Sequence, residues 1–337
     1  VSTIPTRRIG KTPVAVTEFG FGGTGLGNIY QVVTERDAIG SIQAALDGGV
    51  RYFDTAPLYG HGLSELRTGV AVRLARPEKL VLSTKVGWRV TASKQDKVAG
   101  GNFAEVPPFE IRFEYGYDQV MREVEDSLAR LGVNKVDILF IHDVDHRNQG
   151  DNYRRNFEAA MAGAYKAITK LREEGVVQAL GVGVNEIEPC IEFAERAPFD
   201  CFLLAGRYTL LEQAALDRFL PMCVERSMSI VIGGPYNSGI LASGPVKGAM
   251  YDYKAAPPEI LDKVRRIEAA CRRHGVSLAA AALQFPLHHP AIAAVIPGGR
   301  SAAEIEANLA LYHHKIPADL WGELKAEGLV RKDAPTP

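Results

Sequence analysis

One feature restricts this chain more than any other: short β-rich runs alternate along its whole length with longer stretches of helical pattern. The β-rich runs are 17–22, 51–53, 80–84, 136–141, 177–181, 201–204, 229–232 and 293–296. Helical patterns fall near 34–47, 62–74, 117–131, 156–174, 187–196, 214–226, 258–274 with 278–287, and 302–311. Strands that are each followed by a helix predict a parallel sheet, either a barrel or a large doubly wound sheet. The runs are apolar along their length, as strands buried on both faces must be. Count and length favour an α/β chain folded as a closed (β/α)8 TIM barrel, one domain over residues 1–337.

Local signals agree with that spacing. Thr34 is placed to cap the first helix, with Asp37 in its first turn, and Gly48-Gly49 to end it. Residues 7–16 read as an N-terminal β-hairpin with a Gly-Lys turn, able to plug the bottom of a barrel. Two long stretches stay irregular, about 87–116 and 143–155. They follow the third and fourth strands, so they belong to the face where barrels carry their chemistry.

Composition removes several classes of function. Lys plus Arg number 39 and Asp plus Glu 40, a formal net charge of -1, so no overall field favours nucleic acid or an anionic membrane. No apolar run approaches the roughly 18–20 residues of a membrane span. The opening Val-Ser-Thr-Ile-Pro-Thr-Arg-Arg-Ile-Gly lacks the features of a signal peptide, and the expected location is cytoplasmic. Cys190, Cys201, Cys223 and Cys271 form no C-x-x-C pair and read as buried reduced thiols.

The chemistry gathers at strand ends. Asp54 follows the second strand, Lys85 the third and His142 the fourth, with Tyr59 five residues beyond Asp54 in the same loop. Singly, each has a plain structural explanation: a turn cap, a surface lysine, a packed tyrosine, a satisfied histidine. Together, at equivalent strand ends, they form a set. A phenol of ordinary pKa about 10 is a poor base, and a nearby ammonium favours its ionised form. A carboxylate beside the ammonium holds it in place, and a histidine can orient a substrate oxygen. Such a set suits proton transfer at oxygen while hydride moves at carbon, and the hydride carrier must be a cofactor.

Three segments resemble the aldo-keto reductase family. They are Phe-Asp-Thr-Ala-Pro-Leu-Tyr-Gly-His-Gly-Leu-Ser-Glu (53–65), Ser-Thr-Lys-Val-Gly (83–87) and Asp-Ile-Leu-Phe-Ile-His-Asp (137–143), in family order. The resemblance implies that Tyr59 is the general acid/base, that Lys85 tunes it, that Asp54 supports Lys85 and that His142 positions the substrate oxygen. Trp88, His61 and Asp143 become candidates for the substrate pocket.

The Gly-Phe-Gly-Gly-Thr-Gly run at 20–25 fits G-x-G-x-x-G, but the next helical pattern begins only near Thr34, so it does not read as a Rossmann fingerprint. Gly22 and Gly23 read instead as a close backbone approach to the cofactor. Residues 232–241 resemble the family's pyrophosphate loop, which makes Pro235, Asn237, Ser238 and Gly239 cofactor contacts. Residues 296–309 resemble its adenosine segment, with Asn308 at the adenine. In the NADPH-using members a lysine and an arginine hold the 2′-phosphate; here those positions are Gly298 and Glu304. A carboxylate repels that phosphate and can bond ribose hydroxyls, so NAD is favoured, with NADP as the alternative because Arg300 lies close by. Three positions depart from the family pattern: Val184 precedes Asn185, Ala205 replaces a glutamine, and Gly233 replaces the tyrosine that backs the nicotinamide. Asn185 is then the carboxamide contact, and Tyr208 is a candidate for the ring, with packing as its alternative role.

Residues 181–186 and 207–211 resemble the branch of the family that oxidises cyclic hemiacetals, of aldoses or of pyridoxal, to lactones. The alternatives are a general NADPH-dependent aldehyde or ketone reductase and a non-catalytic, cofactor-binding barrel subunit. The cluster His142, Asp143, Asp145 and His146 raises a metal-dependent hydrolase, but no second histidine pair ends another strand, and no metal is expected. Oligomeric state is open.

Overall fold

The computed structural model describes residues 3–75 and 80–337. The strands in chain order are β1 (Thr6–Arg8), β2 (Ala15–Thr17), β3 (Phe21–Gly22), β4 (Tyr52–Asp54), β5 (Val81–Val86), β6 (Trp88–Ala92), β7 (Phe109–Phe113), β8 (Ile138–His142), β9 (Ala179–Val184), β10 (Cys201–Ala205), β11 (Ser229–Gly233), β12 (Met250–Tyr251), β13 (Lys254–Ala255) and β14 (Ile292–Ile296). Eight of them form a parallel sheet in the order β14-β11-β10-β9-β8-β5-β4-β3. Its two edges meet through parallel bridges Phe19↔Val295 and Gly22↔Gly298, reinforced by Gly20 N donating to Val295 O at 2.9 Å. The sheet therefore closes into the expected TIM barrel, and each expected strand is found within a few residues.

Gly22 and Gly23 make that closure possible. A Cβ on Gly22 would lie 2.7 Å from the Ile296 carbonyl oxygen, and one on Gly23 would lie 2.6 Å from that of Asp54. Strand-to-strand approach thus requires glycine at both positions, whatever their backbone meets at the barrel mouth. A short 3-10 turn, Gly23–Gly27, follows at once.

Two apolar layers hold the fold. Inside the barrel Tyr52, Ile138, Phe140, Leu203, Val231 and Ile296 pack together with Ile9, Val14 and Val16 of the N-terminal hairpin. That hairpin, β1 against β2, closes the bottom as expected, and Ser229 Oγ fastens it by accepting from Gly10 N at 2.8 Å and donating to Arg8 O at 3.0 Å. Outside, the helices bury their apolar faces on the barrel wall. The helix Glu35–Asp47 is capped by Thr34, whose side chain accepts from Asp37 N. Ser277 and Ser301 cap later helices in the same way.

The departures from the sequence reading are local. Thr17 belongs to β2 and pairs with Thr6, so the first barrel strand is shorter than the expected run 17–22. The stretch 87–116 is not irregular throughout: β6 and β7 form an antiparallel hairpin from Trp88↔Phe113 to Ala92↔Phe109. Its outer strand alternates Phe109, Ile111 and Phe113 with Glu110 and Arg112, the two-residue period of a half-buried strand. Within 143–155 a short helix, His146–Gln149, is capped by Asp145. The helix expected over 156–174 starts at Tyr153 and carries a π-turn at Ala160–Ala164. A further helix, Ala318–Ala326, follows the last predicted one. The four cysteines are free and buried. Among the described residues no helix is long and apolar enough to cross a membrane.

Candidate active site

Strand alternation explains how the site is assembled. Tyr52 and Asp54 share the inner face of β4, Ser83 and Lys85 that of β5, and Ile138, Phe140 and His142 that of β8. The lower members pack the barrel interior, and the last inward residue of each strand is the polar one. Asp54, Lys85 and His142 thus form the top layer of the barrel filling, at 2%, 1% and 6% exposure.

Lys85 Nζ donates to Asp54 Oδ2 at 2.6 Å and to the Thr55 carbonyl at 2.7 Å. Asp54 Oδ1 accepts from Ser83 Oγ at 2.6 Å, and Tyr52 OH lies 3.1 Å from Ser83 Oγ. A carboxylate this buried holds its position because both its oxygens are satisfied. The ammonium sits 4.7 Å from the centre of the Tyr59 ring. Although burial works to lower the Lys85 pKa, Asp54 and Tyr59 carry it above its ordinary value, so the lysine is charged. Burial raises the Tyr59 phenol; Lys85 pulls it back down, and Asp54 pushes it up again. The phenol is therefore a proton donor at neutral pH: Lys85 acts in the expected direction, and burial outweighs it.

His142 lies edge-on to Tyr59, with ring centres 5.9 Å apart at 86°. Burial first, then Lys85, hold its pKa well below 6.5, so the imidazole is neutral. Its Nδ1 has no hydrogen-bond partner. A bare acceptor there costs less than an orphaned N–H, which places the proton on Nε2. Nε2 lies 3.5 Å from Asp143 Oδ1, too far for a good hydrogen bond. Asp143 Oδ2 accepts from Trp88 Nε1 at 2.8 Å. Burial, then the neighbouring Asp145, push the Asp143 carboxyl up to about 7. Its backbone is left-handed, with φ +57.

The other expected site residues divide. Trp88 packs against Phe113 at a tilt of 41°, with ring centres 3.8 Å apart, beside Asp143. His61 is only 2% exposed, and its Nδ1 lies 2.6 Å from the Phe109 carbonyl, so it anchors the β6–β7 hairpin; with Gln95, Val98 and Ile111 it also lines a cavity beside that hairpin. Tyr208 is fully buried, 5.3 Å from the Phe285 ring and 5.6 Å from that of His289. A ring with no exposure cannot stack on nicotinamide, so packing is its role. Its neighbour Arg207 takes the mouth side instead, donating from Nε to the Asn185 carbonyl at 2.7 Å. Among the described residues no three His, Cys, Asp or Glu side chains are placed to hold a metal.

At the far side of the mouth, Asn237 Oδ1 accepts from Thr209 Oγ1 at 2.5 Å, and Ser238 Oγ accepts from Tyr253 N at 2.9 Å. Asn237, Ser238 and Gly239 are left-handed in succession, which curls the loop back over the barrel end beyond Pro235. Asn308 accepts from Tyr236 OH at 2.7 Å. Glu304 takes both the backbone N and the guanidinium of Arg300 at 3.0 Å, so the arginine near Gly298 is already paired. At the end of β11 a Cβ on Gly233 would come within 3.2 Å of a Leu203 side-chain carbon, tighter than ordinary contact.

Several contributors escaped the sequence reading. Asp252, at the tip of the β12–β13 turn, receives Arg147 Nη1 at 2.6 Å and Arg207 Nη2 at 2.8 Å, tying three loops together across the mouth. Glu123 accepts from the backbone N of Gly87 and Trp88 at 2.8 and 3.1 Å, fixing the start of the hairpin from below.

A barrel with this top layer defines a class of protein. The family model described as the aldo/keto reductase family matches residues 18–327, and the chain belongs to that family. It is accordingly an oxidoreductase that works with a nicotinamide cofactor. Among its relatives, pyridoxal 4-dehydrogenase of Microbacterium luteolum is 38% identical, covering 96% of this chain and 97% of that protein. D-threo-aldose 1-dehydrogenase of a Pseudomonas species is 36% identical, covering 96% of each. Among solved structures, a glycerol dehydrogenase of Gluconobacter oxydans superposes with a TM-score of 0.72 over 98% of this chain and 97% of that one, at 22% identity. That likeness shows the fold.

Proposed function

We propose that the protein oxidises a cyclic hemiacetal to a lactone, with NAD as the preferred acceptor. The observation that carries this reading is the convergence of the Tyr59 phenol, a charged lysine–aspartate pair and a neutral histidine on one barrel mouth. The two relatives above, named for oxidation of pyridoxal and of an aldose, support the substrate class. The bound nicotinamide supplies the site that accepts hydride from the hemiacetal carbon. Everything else falls to the chain's own residues.

His142 donates from Nε2 to the reacting oxygen and fixes its direction. Tyr59, once deprotonated, takes the proton of the hemiacetal hydroxyl, and Lys85 stabilises the phenolate that does so. Asp54 holds the ammonium in place and keeps it charged. Because burial raises the phenol, oxidation is favoured on the alkaline side and the reverse reduction near neutrality. Pro235, Asn237, Ser238 and Gly239 hold the pyrophosphate, Asn185 the carboxamide, and Gly298, Arg300, Glu304 and Asn308 the adenosine half. Glu304 supports NAD on two grounds: at the position the family resemblance gives it, its carboxylate would repel a 2′-phosphate, and it occupies Arg300.

The test is formation of reduced nicotinamide by purified protein with NAD or NADP, on L-fucose, D-arabinose, L-galactose, pyridoxal and simple alcohols. Turnover of a hemiacetal with NAD supports the reading. Reduction of simple aldehydes with NADPH, without hemiacetal oxidation, refutes it in favour of a general reductase. Cofactor binding without any turnover refutes it in favour of a binding subunit.

A further inference from the structure

The tetrad leaves one buried polar group unused. Asp143 follows His142 directly, and its two oxygens have different fates. Oδ2 is taken by the Trp88 indole at 2.8 Å. Oδ1 accepts no hydrogen bond among the described residues and faces His142 Nε2 across 3.5 Å. The two side chains keep 7% exposure each, so their facing edges reach the mouth. A donor and an acceptor thus stand side by side, too far apart to satisfy one another, at the point where the reacting oxygen is held.

That arrangement complements two neighbouring oxygens. One accepts from Nε2–H; the other, a hydroxyl, donates to Oδ1. Hydroxyls on adjacent carbons stand about 2.8 Å apart, the length of one hydrogen bond, and match a pair of sites 3.5 Å apart. From this geometry we infer that Asp143 reads the hydroxyl on the carbon next to the reacting one, so that the preferred substrates are hemiacetals bearing that hydroxyl. The inference rests on the proposed reaction and narrows its substrate class.

The design around Asp143 supports a recognition role. The hairpin that brings Trp88 to Oδ2 is itself held by Glu123 and by His61. The indole that holds the carboxylate is therefore itself fixed, through both ends of the hairpin. A site that bonds a substrate hydroxyl rejects the analogue lacking it, because its own buried acceptor is then left unpaired.

The experiment compares two substrates and two variants. D-arabinose and its 2-deoxy counterpart are offered to the wild type, to Asp143→Asn and to Asp143→Ala. Asn suits the left-handed backbone and can keep the Trp88 contact. For the wild type, kcat/KM should fall about 10- to 100-fold on removing the hydroxyl. Asp143→Asn and Asp143→Ala should each lose more on D-arabinose than on the 2-deoxy sugar, mostly in KM, so that the roughly 10- to 100-fold preference of the wild type shrinks to about twofold. Equal losses on both sugars would overturn the inference by making Asp143 a general support. So would a wild type indifferent to the hydroxyl, which requires no variant to fold. If the wild type oxidises no hemiacetal, the proposed function fails and takes this inference with it.

Discussion

Asp54→Asn isolates the buried ion pair, and its cost follows from the geometry. The change removes a negative charge and little volume. Lys85, 1% exposed, would keep the Thr55 carbonyl at 2.7 Å but lose its only close anion. Breaking a buried pair by removing one partner costs about 3–5 kcal/mol, because the other charge stays buried and uncompensated. For 337 residues the unfolding entropy near 60 °C is about 0.7 kcal/mol per kelvin, so Tm should fall by about 4–7 °C. Turnover should fall at least about 100-fold, because the lysine is no longer held charged beside the phenol. Scanning calorimetry reads the first effect and a cofactor-reduction assay the second. The decisive control is Asp54→Asn with Lys85→Met, which removes both charges. It should regain most of the stability and none of the activity. A single variant that melts with the wild type, or a double variant less stable than the single, would refute the view that the pair is held by charge compensation.

Three further outcomes are expected. Tyr59→Phe should lower turnover about 100- to 10,000-fold and leave the dissociation constant for NAD within about twofold, as read by fluorescence titration; normal turnover would remove Tyr59 from the proton path. Glu304→Arg should shift the ratio of kcat/KM with NAD to that with NADP toward NADP by at least about tenfold, since it replaces a repelling charge and frees Arg300; an unchanged ratio would place Glu304 away from the ribose. Glu123 gives the pH-dependent case. Burial raises its carboxyl from 4.5 to about 8. Between those values the folded state binds the extra proton, so stability should decline as pH rises from about 5 to about 8, with a slope of up to about 1.4 kcal/mol per pH unit from this group. Glu123→Gln should flatten that decline in urea titrations across pH, and an identical slope would show that Glu123 titrates normally.

The barrel was legible because its strands are buried on both faces and its helices carry ordinary caps, so pattern and local chemistry point the same way. The tetrad was legible for a related reason. A two-residue period places Asp54 above Tyr52, Lys85 above Ser83 and His142 above Phe140, and polar residues that end apolar strands must face the mouth. What failed depended on facing that no period announces. Tyr208 sits one residue past Arg207, and a one-residue step in a loop turns it from the mouth into the outer packing against Phe285. His61 lies two residues from Tyr59 yet serves the β7 backbone. Arg300 looked like a free cation because its pairing with Glu304 is set by a helix start and not by composition. The β6–β7 hairpin did carry an alternating signal, but so short a run beside a long loop does not stand out.

The N-terminal hairpin has a consequence for traffic through the molecule. With Ile9, Val14 and Val16 seated under Tyr52 and Phe140, the barrel is a cul-de-sac, and everything that takes part in a turnover shares one doorway. Cofactor and substrate therefore have to come and go by the face that carries Asp54, Lys85 and His142.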